Sequence, residues 1–275
     1  MKSYKRLVQP YVVWISIFLI IPMVLIVLYA ISEQGNDVLT FHFTFDNFIR
    51  FFQDTVFLGV LFDSFRIALV TTIICILIGY PAAYLISKMN VKHNAFFILL
   101  ITLPMWINML VRTYAWVGIL SDNGVINHLL GFFGLGKVHM IHTEFAVILG
   151  MVYNFVPFMI LQIHASLAKM DKSLIEASND LGANRFETFR RIILPLSLPG
   201  VISGITLVFL PAVSSFFIQK LLGGGTLLIG NLIENYFITT GDWNFGSAIS
   251  LIMAIIIMIS MFLTNRLDKD GGDSL

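Results

Sequence analysis

Three stretches of this sequence carry residue types that could do chemistry. Gly131–Val138, "GFFGLGKV", follows a phosphate-binding loop for seven residues. The eighth position of that loop needs a Ser or Thr hydroxyl for magnesium, and here it is Val138. No strand pattern precedes it, so the likeness is coincidental. His139 and His142 stand three residues apart with Glu144 close by, the beginning of a metal site. Zinc sites need three or four protein ligands. The next histidine, His128, is eleven residues upstream, and solvated loop histidines are the expected reading. Cys75 is the single cysteine, with no partner for a disulfide or a thiolate site. No His-Glu-x-x-His or Gly-x-Ser-x-Gly nucleophile or metalloprotease motif occurs. The chain is expected to hold no catalytic centre, no metal and no bound cofactor.

The third stretch is mechanical rather than chemical. "SLIEASNDLGANRFETFRRIILPLSLPG", Ser173–Gly200, begins as the longest charge-dense run in the chain and ends in a strongly apolar one. Ser173 and Glu176 fit a capping box, in which the Ser hydroxyl and the Glu carboxylate satisfy each other's backbone amides. Leu174, Ala177 and Leu181 then form an apolar stripe on a short helix. Gly182 falls where a left-handed residue would end that helix. A second helix is expected from about Asn184, with Phe186, Phe189 and Ile193 on one face, and Pro195 and Pro199 marking its exit. The pattern predicts an elbow of two short helices.

The elements around the elbow are set by composition. Of 275 residues 57% are hydrophobic and 12% charged, with mean hydropathy +0.87; a soluble domain carries about 25% charge. About 20 apolar residues span a bilayer as a helix. Six segments reach roughly that length: Tyr11–Ile31, Ile67–Ile86, Ala95–Leu120, Phe145–Leu167, Leu196–Ile218 and Ser247–Thr264. Arg112 is the only Asp, Glu, Lys or Arg among them. Backbone polar groups have no water partner in lipid, so helices are expected throughout. One side of this topology gathers Lys2, Lys5, Arg6, Lys88, Lys92, Lys169, Lys172, Arg185, Arg190, Arg191, Arg266 and Lys269, twelve of the seventeen basic residues. The positive-inside rule places that side, both termini and the loop 168–195 in the cytoplasm. The basic amino-terminal residues followed by 21 apolar ones are longer than a signal-peptide core, and an uncleaved span is expected.

The spacing of the elbow carries a family resemblance. Glu176-Ala177-Ser178, three residues, Gly182, nine residues and Ile192-x-Leu194-Pro195 is similar to the EAA signature of ABC-importer permeases, with Ser178 in place of the usual third-position alanine. "LPMWINMLVRTYAW", "LVFLPAVSSFF" and "LLGGGTLLIGNLIENYFITTGDWNFGSA" resemble segments of the B-type permease subunits of spermidine/putrescine importers, and the likeness runs from about Phe41 to Thr264. The resemblance implies an all-α, multi-pass protein of a bacterial cytoplasmic (inner) membrane, with six spans in a type I importer permease fold. It implies a second related permease subunit, two ATPase subunits that bind ATP and Mg, and an extracytoplasmic polyamine receptor. Membrane lipid is a further partner, and nucleic acid is not. The helix Ser173–Leu181 would sit in a groove of an ATPase subunit, so that Ser173, Glu176, Ala177, Ser178, Gly182, Ile192, Leu194 and Pro195 couple ATP hydrolysis to movement of the spans. Serine is small enough to leave that docking surface intact.

A path for flexible polycations needs carboxylates and aromatic faces. The predicted outer side has Glu33, Asp37, Asp46, Asp54, Asp63, Asp122, Glu144, Glu234 and Asp242 against Arg50, Arg66, Lys137 and Lys220. Glu234 and Asp242 share one loop with Tyr236 and Trp243, and with Trp106, Tyr114 and Asp122 they are the candidates for the path. Loop acids facing water and an interfacial aromatic belt are the competing readings. Arg112 is expected to reach the outer interface or an outer acid. Gly200 and Gly204 would permit close helix contact, with the partner permease or within the chain. Pro211 would kink the fifth span near its middle. The alternatives are an importer permease for another solute and, more remotely, a secondary transporter or a membrane enzyme.

Overall fold

The computed structural model describes residues 2–33, 42–171, 173–225 and 227–272. Asp37 and Lys172 lie outside the described residues, as do the side chains of Lys2, Lys5, Arg6 and Lys269. In order, the helices are α1 (Val8–Ala30), α2 (Asp46–Gln53), α3 (Thr55–Ser87), α4 (Val91–Thr102), α5 (Met109–Leu120), α6 (Val125–Phe132), α7 (Glu144–Ala168), α8 (Ser173–Asp180), α9 (Arg185–Ser214), α10 (Phe217–Leu222), α11 (Ile229–Glu234) and α12 (Trp243–Gly272). No strand occurs among the described residues beyond one antiparallel bridge, Ser32 with Phe43. Among the described residues five helices are long and apolar enough to cross a membrane, and a bent pair makes a sixth candidate.

That pair is the third expected span, and it is not one straight helix. Val91–Trp106 and Met109–Phe132 meet at 92°. The residues at the bend explain it. Pro104 sits in a 3-10 turn over Leu103–Trp106, Ile107 is extended, and the Asn108 side chain accepts the Leu110 amide to start α5. An Asn cap supplies one of the four amides that a helix start leaves unpaired.

Prolines elsewhere do not break their helices. The elbow's second helix was expected to end at Pro195, yet α9 is continuous for 30 residues, about 45 Å at 1.5 Å per residue. A wider π turn over Phe189–Ile193 lies immediately before Pro195 and accommodates the ring and the missing donor. The same arrangement precedes Pro22 in α1, where Ser16–Ile20 is π. Pro211 lies three residues from the end of α9, in its last turn rather than near mid-helix.

The chain forms two compact units. One comprises residues up to Leu61 with Gly230–Ile259, the other Phe62–Ile229 with residues from Ser260 onward. The core of the second unit is α7, which buries Met151, Met159 and Ile163 completely. Small residues let its neighbours approach: a Cβ at Gly79 of α3 would lie 2.9 Å from Met159 Cγ, and one at Gly200 of α9 only 2.7 Å from the Gln162 carbonyl oxygen. Gly204 also meets Met159. Gly200 and Gly204 therefore serve packing within this chain. In the first unit Phe51, Phe57 and Phe245 cluster, and Asn47 and Asn244 cap the end of α1 through the Ala30, Tyr29 and Ser32 carbonyls.

Candidate functional site

The elbow is built as two helices held by a glycine turn and one buried polar pair. Helix α8 does not start with the capping box expected from its sequence. The Ser173 amide instead donates to Asp171 Oδ1 at 2.9 Å. That bond, with a second from the Ser173 hydroxyl, holds the Asp171 carboxyl below its ordinary range. The capping box falls one helix later. Asn184 Oδ1 accepts the Phe186 and Glu187 amides, and Glu187 Oε2 accepts the Asn184 amide, each at 3.0 Å. Both sites satisfy the sequence pattern, but Asp171 outcompetes Glu176 for the Ser173 amide because it already lies two residues upstream in a turn.

Helix α8 ends in a Schellman turn. Ala183 N donates to Ser178 O and Gly182 N to Asn179 O, with Gly182 at φ +81°. No atom lies within 4 Å of where a Gly182 Cβ would be, so only the backbone conformation demands glycine here. Ser178 is buried and its hydroxyl is 2.8 Å from that of Thr188, on the inner side of the elbow. It is thus absent from the outward surface on which the sequence places it. That surface carries Leu174, Ala177 and Leu181, all exposed, and Leu181 is 88% exposed. Phe186 is exposed as well.

The second half of the elbow is anchored to α3. Phe189 stacks edge-on against Tyr80 and Tyr84, and the Tyr80 hydroxyl is 2.8 Å from Ser197 Oγ. Ile193 is buried, whereas the motif residues Ile192, Leu194 and Pro195 are half-buried. Glu176 lines a cavity of about 600 Å³ with Tyr84, Ser87, Lys88, Asn94 and Ile175. Within it Lys88 Nζ lies 4.1 Å above the Tyr84 ring, and Asn94 donates to Ile86 O and His164 Nε2. Helix α8 is therefore tied to α9 by the glycine turn and the Ser178–Thr188 pair, and α9 to α3 by the Phe189 anchor.

The path candidates divide between the two units. Trp106, Tyr114 and Asp122 belong to the second, Glu234, Tyr236, Asp242 and Trp243 to the first. Trp106 and Tyr114 are exposed, 80% and 60%, and Asp122 accepts from or pairs with His139 Nδ1 at 2.8 Å. Among the described residues Arg112 forms no ion pair with an acid. Its Nε and Nη1 are buried with no hydrogen-bond partner among the described residues. Glu144 and Asp63 are both engaged by Arg66, at 2.6 and 3.5 Å.

Asp242 is not a solvent-facing loop acid. Its side chain is 7% exposed, Oδ2 pairs with Arg50 Nη1 at 3.3 Å, and Oδ1 accepts the Phe245 amide as the N-cap of α12. The Arg50 guanidinium lies 4.1 Å from the Phe245 ring centroid and 5.8 Å from that of Tyr236. Trp243 is exposed and packs against Tyr29 and Phe237, while Glu234 ends α11, half-buried. The roles of Arg50, Thr188, Asn184 and Asp171 escaped the sequence reading. Only Asn184 with Glu187 left a signal that could have found it.

Near the phosphate-loop mimic, Lys137 Nζ donates to Asn123 at 2.7 Å, and buried Asn127 braces the strand-like segment through both the amide and carbonyl of Val138. His142 has φ 60° and packs at Gly224. Among the described residues no group of three His, Cys, Asp or Glu could hold a metal ion.

The family model for binding-protein-dependent transport system inner membrane components matches residues 1–270. The chain belongs to this family. Among similar proteins, the spermidine/putrescine transport system permease protein PotB of Haemophilus influenzae is 37% identical over 260 residues, 93% of this chain and 91% of that protein. The PotB protein of Escherichia coli K12 is 35% identical over the same length, 94% of that protein. Among solved structures, a bacterial ABC transporter involved in import of the acidic polysaccharide alginate superposes with a TM-score of 0.78 at 20% identity, covering 98% of this chain and 95% of that one. The MetNI methionine ABC transporter in inward-facing form gives 0.58 at 17% identity, over 78% and 95%. The permease is thus an all-helical, multi-pass membrane transport subunit with the importer permease fold.

Proposed function

We propose that this permease carries polyamines, spermidine and putrescine, across a bacterial cytoplasmic membrane as one subunit of an ATP-driven importer. The elbow carries the mechanism: an exposed helix with an outward apolar stripe, turned by Gly182 and continuous through α9 with the apolar spans. The cargo reading is supported by the full-length similarity to the two polyamine permeases.

In this reading both termini and the elbow lie in the cytoplasm, following the excess of basic residues there. An ATPase subunit receives Leu174, Ala177 and Leu181 in an apolar groove, with Glu176 beside them. Two such subunits bind ATP and Mg and perform the hydrolysis; this chain contributes no catalytic group. A second homologous permease completes the pathway, and a polyamine receptor delivers cargo from outside. Closure of the ATPase pair moves α8, and the buried Ser178–Thr188 pair and the Phe189 anchor pass that displacement to α9 and α3.

The test is uptake of labelled spermidine and putrescine in cells deleted for this gene and then restored. Loss and recovery of uptake is the expected result. Unchanged uptake, in cells with no second polyamine system, would remove the cargo while leaving the family membership intact.

A further inference from the structure

The pair formed by Arg50 and Asp242 has the parts of an ammonium-binding cage already holding a cation. A buried carboxylate lies at its base, the Phe245 face is 4.1 Å from the guanidinium carbon, and the Tyr236 ring is 5.8 Å away. Aromatic faces with a carboxylate are what hold organic ammonium groups in low-dielectric sites. The occupant is asymmetric with its site. Arg50 is 51% exposed along its side chain, whereas Asp242 is 7% exposed. The arginine enters from outside, beside an open cavity of about 600 Å³ lined by Asp46, Ile49, Gln53, Asp54 and Thr55.

We propose that the Asp242–Phe245–Tyr236 cage is a binding site for the terminal ammonium of a polyamine, and that Arg50 is a latch which the cargo displaces. This rests on the polyamine reading above. The latch has a second place to go. Asp46 is four residues before Arg50 on α2 and Asp54 four residues after it, and on a helix surface i,i+4 carboxylate–guanidinium pairs are neighbours. Asp54 Oδ1 is occupied by the Val56 amide, which leaves Asp46 as the better acceptor. A released guanidinium is neutralised there instead of repelling the incoming polycation. The remaining amines of the cargo face the same cavity, where Asp54 is the acid left once Asp46 holds the released guanidinium. Monoamines fill the cage but not the cavity, so a linear diamine or triamine is the ligand class favoured.

The experiment uses the full-length chain in the membrane complex in which it is expressed. Thermal unfolding of Arg50→Ala is followed with added putrescine, methylguanidinium, or KCl at matched ionic strength. The expected result is a lowered Tm that putrescine and methylguanidinium raise and KCl does not, with the rise abolished in Arg50→Ala/Asp242→Asn. No rise with either cation overturns the site and leaves the pair a structural tie. A rise with methylguanidinium alone overturns the ammonium assignment.

Should Arg50→Ala fail to fold, Arg50→Gln keeps a hydrogen-bond donor beside Asp242 but no cation. Its looser hold on the cage should lower the half-saturation concentration for putrescine uptake roughly two- to five-fold. An unchanged or raised value overturns the latch. Wild-type uptake measured in parallel separates the two claims: intact polyamine uptake with no thermal rescue defeats only the cage, and absent uptake defeats the cargo reading beneath it.

Discussion

The elbow and the corner between α2 and α12 are each tied by one buried polar pair, and the two pairs differ in kind. Ser178 with Thr188 is neutral, local, and backed by a Schellman turn and a capping box that would hold the elbow without it. Arg50 with Asp242 is charged, joins residues 192 apart, and has half of its length in solvent. A neutral pair between adjacent helices adds stiffness at little risk. A charged pair with one buried member is costly to break, because the buried charge is then left alone. The elbow is therefore suited to transmit a displacement, and the corner to change its partner.

Substitutions at four positions test that contrast. The largest effect is expected from Asp242→Ala, which removes both the ion pair and the N-cap of α12. Full loss of a buried pair costs about 3–5 kcal/mol, but the exposure of Arg50 lowers this toward about 2–3 kcal/mol with the cap included. The loss is read as a drop in Tm of the complex, and an unchanged Tm would show the corner to be held by its aromatic cluster alone.

Next comes Gly182→Leu. With φ +81° and open space around it, the cost is conformational, about 1–2 kcal/mol. Gly182→Ala should carry the same conformational cost, since a Cβ there meets nothing within 4 Å. A much larger defect in Leu than in Ala would point to a surface that the ATPase subunit covers.

Ser178→Ala is expected to cost about 1 kcal/mol. Thr188 Oγ1 keeps its bond to the Asn184 carbonyl, so the group left behind is not orphaned. ATP-driven uptake should stay near wild type in a transport assay. A loss as deep as that of Gly182→Leu would make the hydroxyl pair, and not the turn, the main link.

The smallest effect belongs to Asp171. Its carboxyl is held low by the Ser173 amide and then the Ser173 hydroxyl, so it favours the folded start of α8 at every pH above its ordinary value. That contribution disappears only as pH falls through the lowered value, below about pH 4. Uptake by Asp171→Asn should therefore track wild type in shape between pH 5 and 8. A difference in pH profile within that window would mean another group titrates there.

The sequence was most legible where physics is local or compositional. Apolar length marked the spans, and the Gly182 turn followed from a helix stripe ending at Leu181. It was least legible where a choice between similar local options or a distant partner decided the outcome. Ser173–Glu176 read as a capping box and Asn184–Glu187, with the same spacing, did not; the box forms at Asn184, and an upstream aspartate takes the Ser173 amide. The bend at Trp106–Met109 had its signals in Pro104 and Asn108, which an unbroken apolar run concealed. Pro195 read as an exit because the π turn that absorbs it has no periodic signature. Asp242 looked like a loop acid because its partner, Arg50, lies at the other end of the chain.

The most direct test of the coupling account is the ratio of polyamine transported to ATP hydrolysed. It is measured with the whole importer in proteoliposomes, comparing wild type with Gly182→Leu at equal incorporation. Continued hydrolysis with transport strongly reduced is expected, so that the ratio falls. Transport and hydrolysis unchanged, at a wild-type ratio, would contradict that coupling.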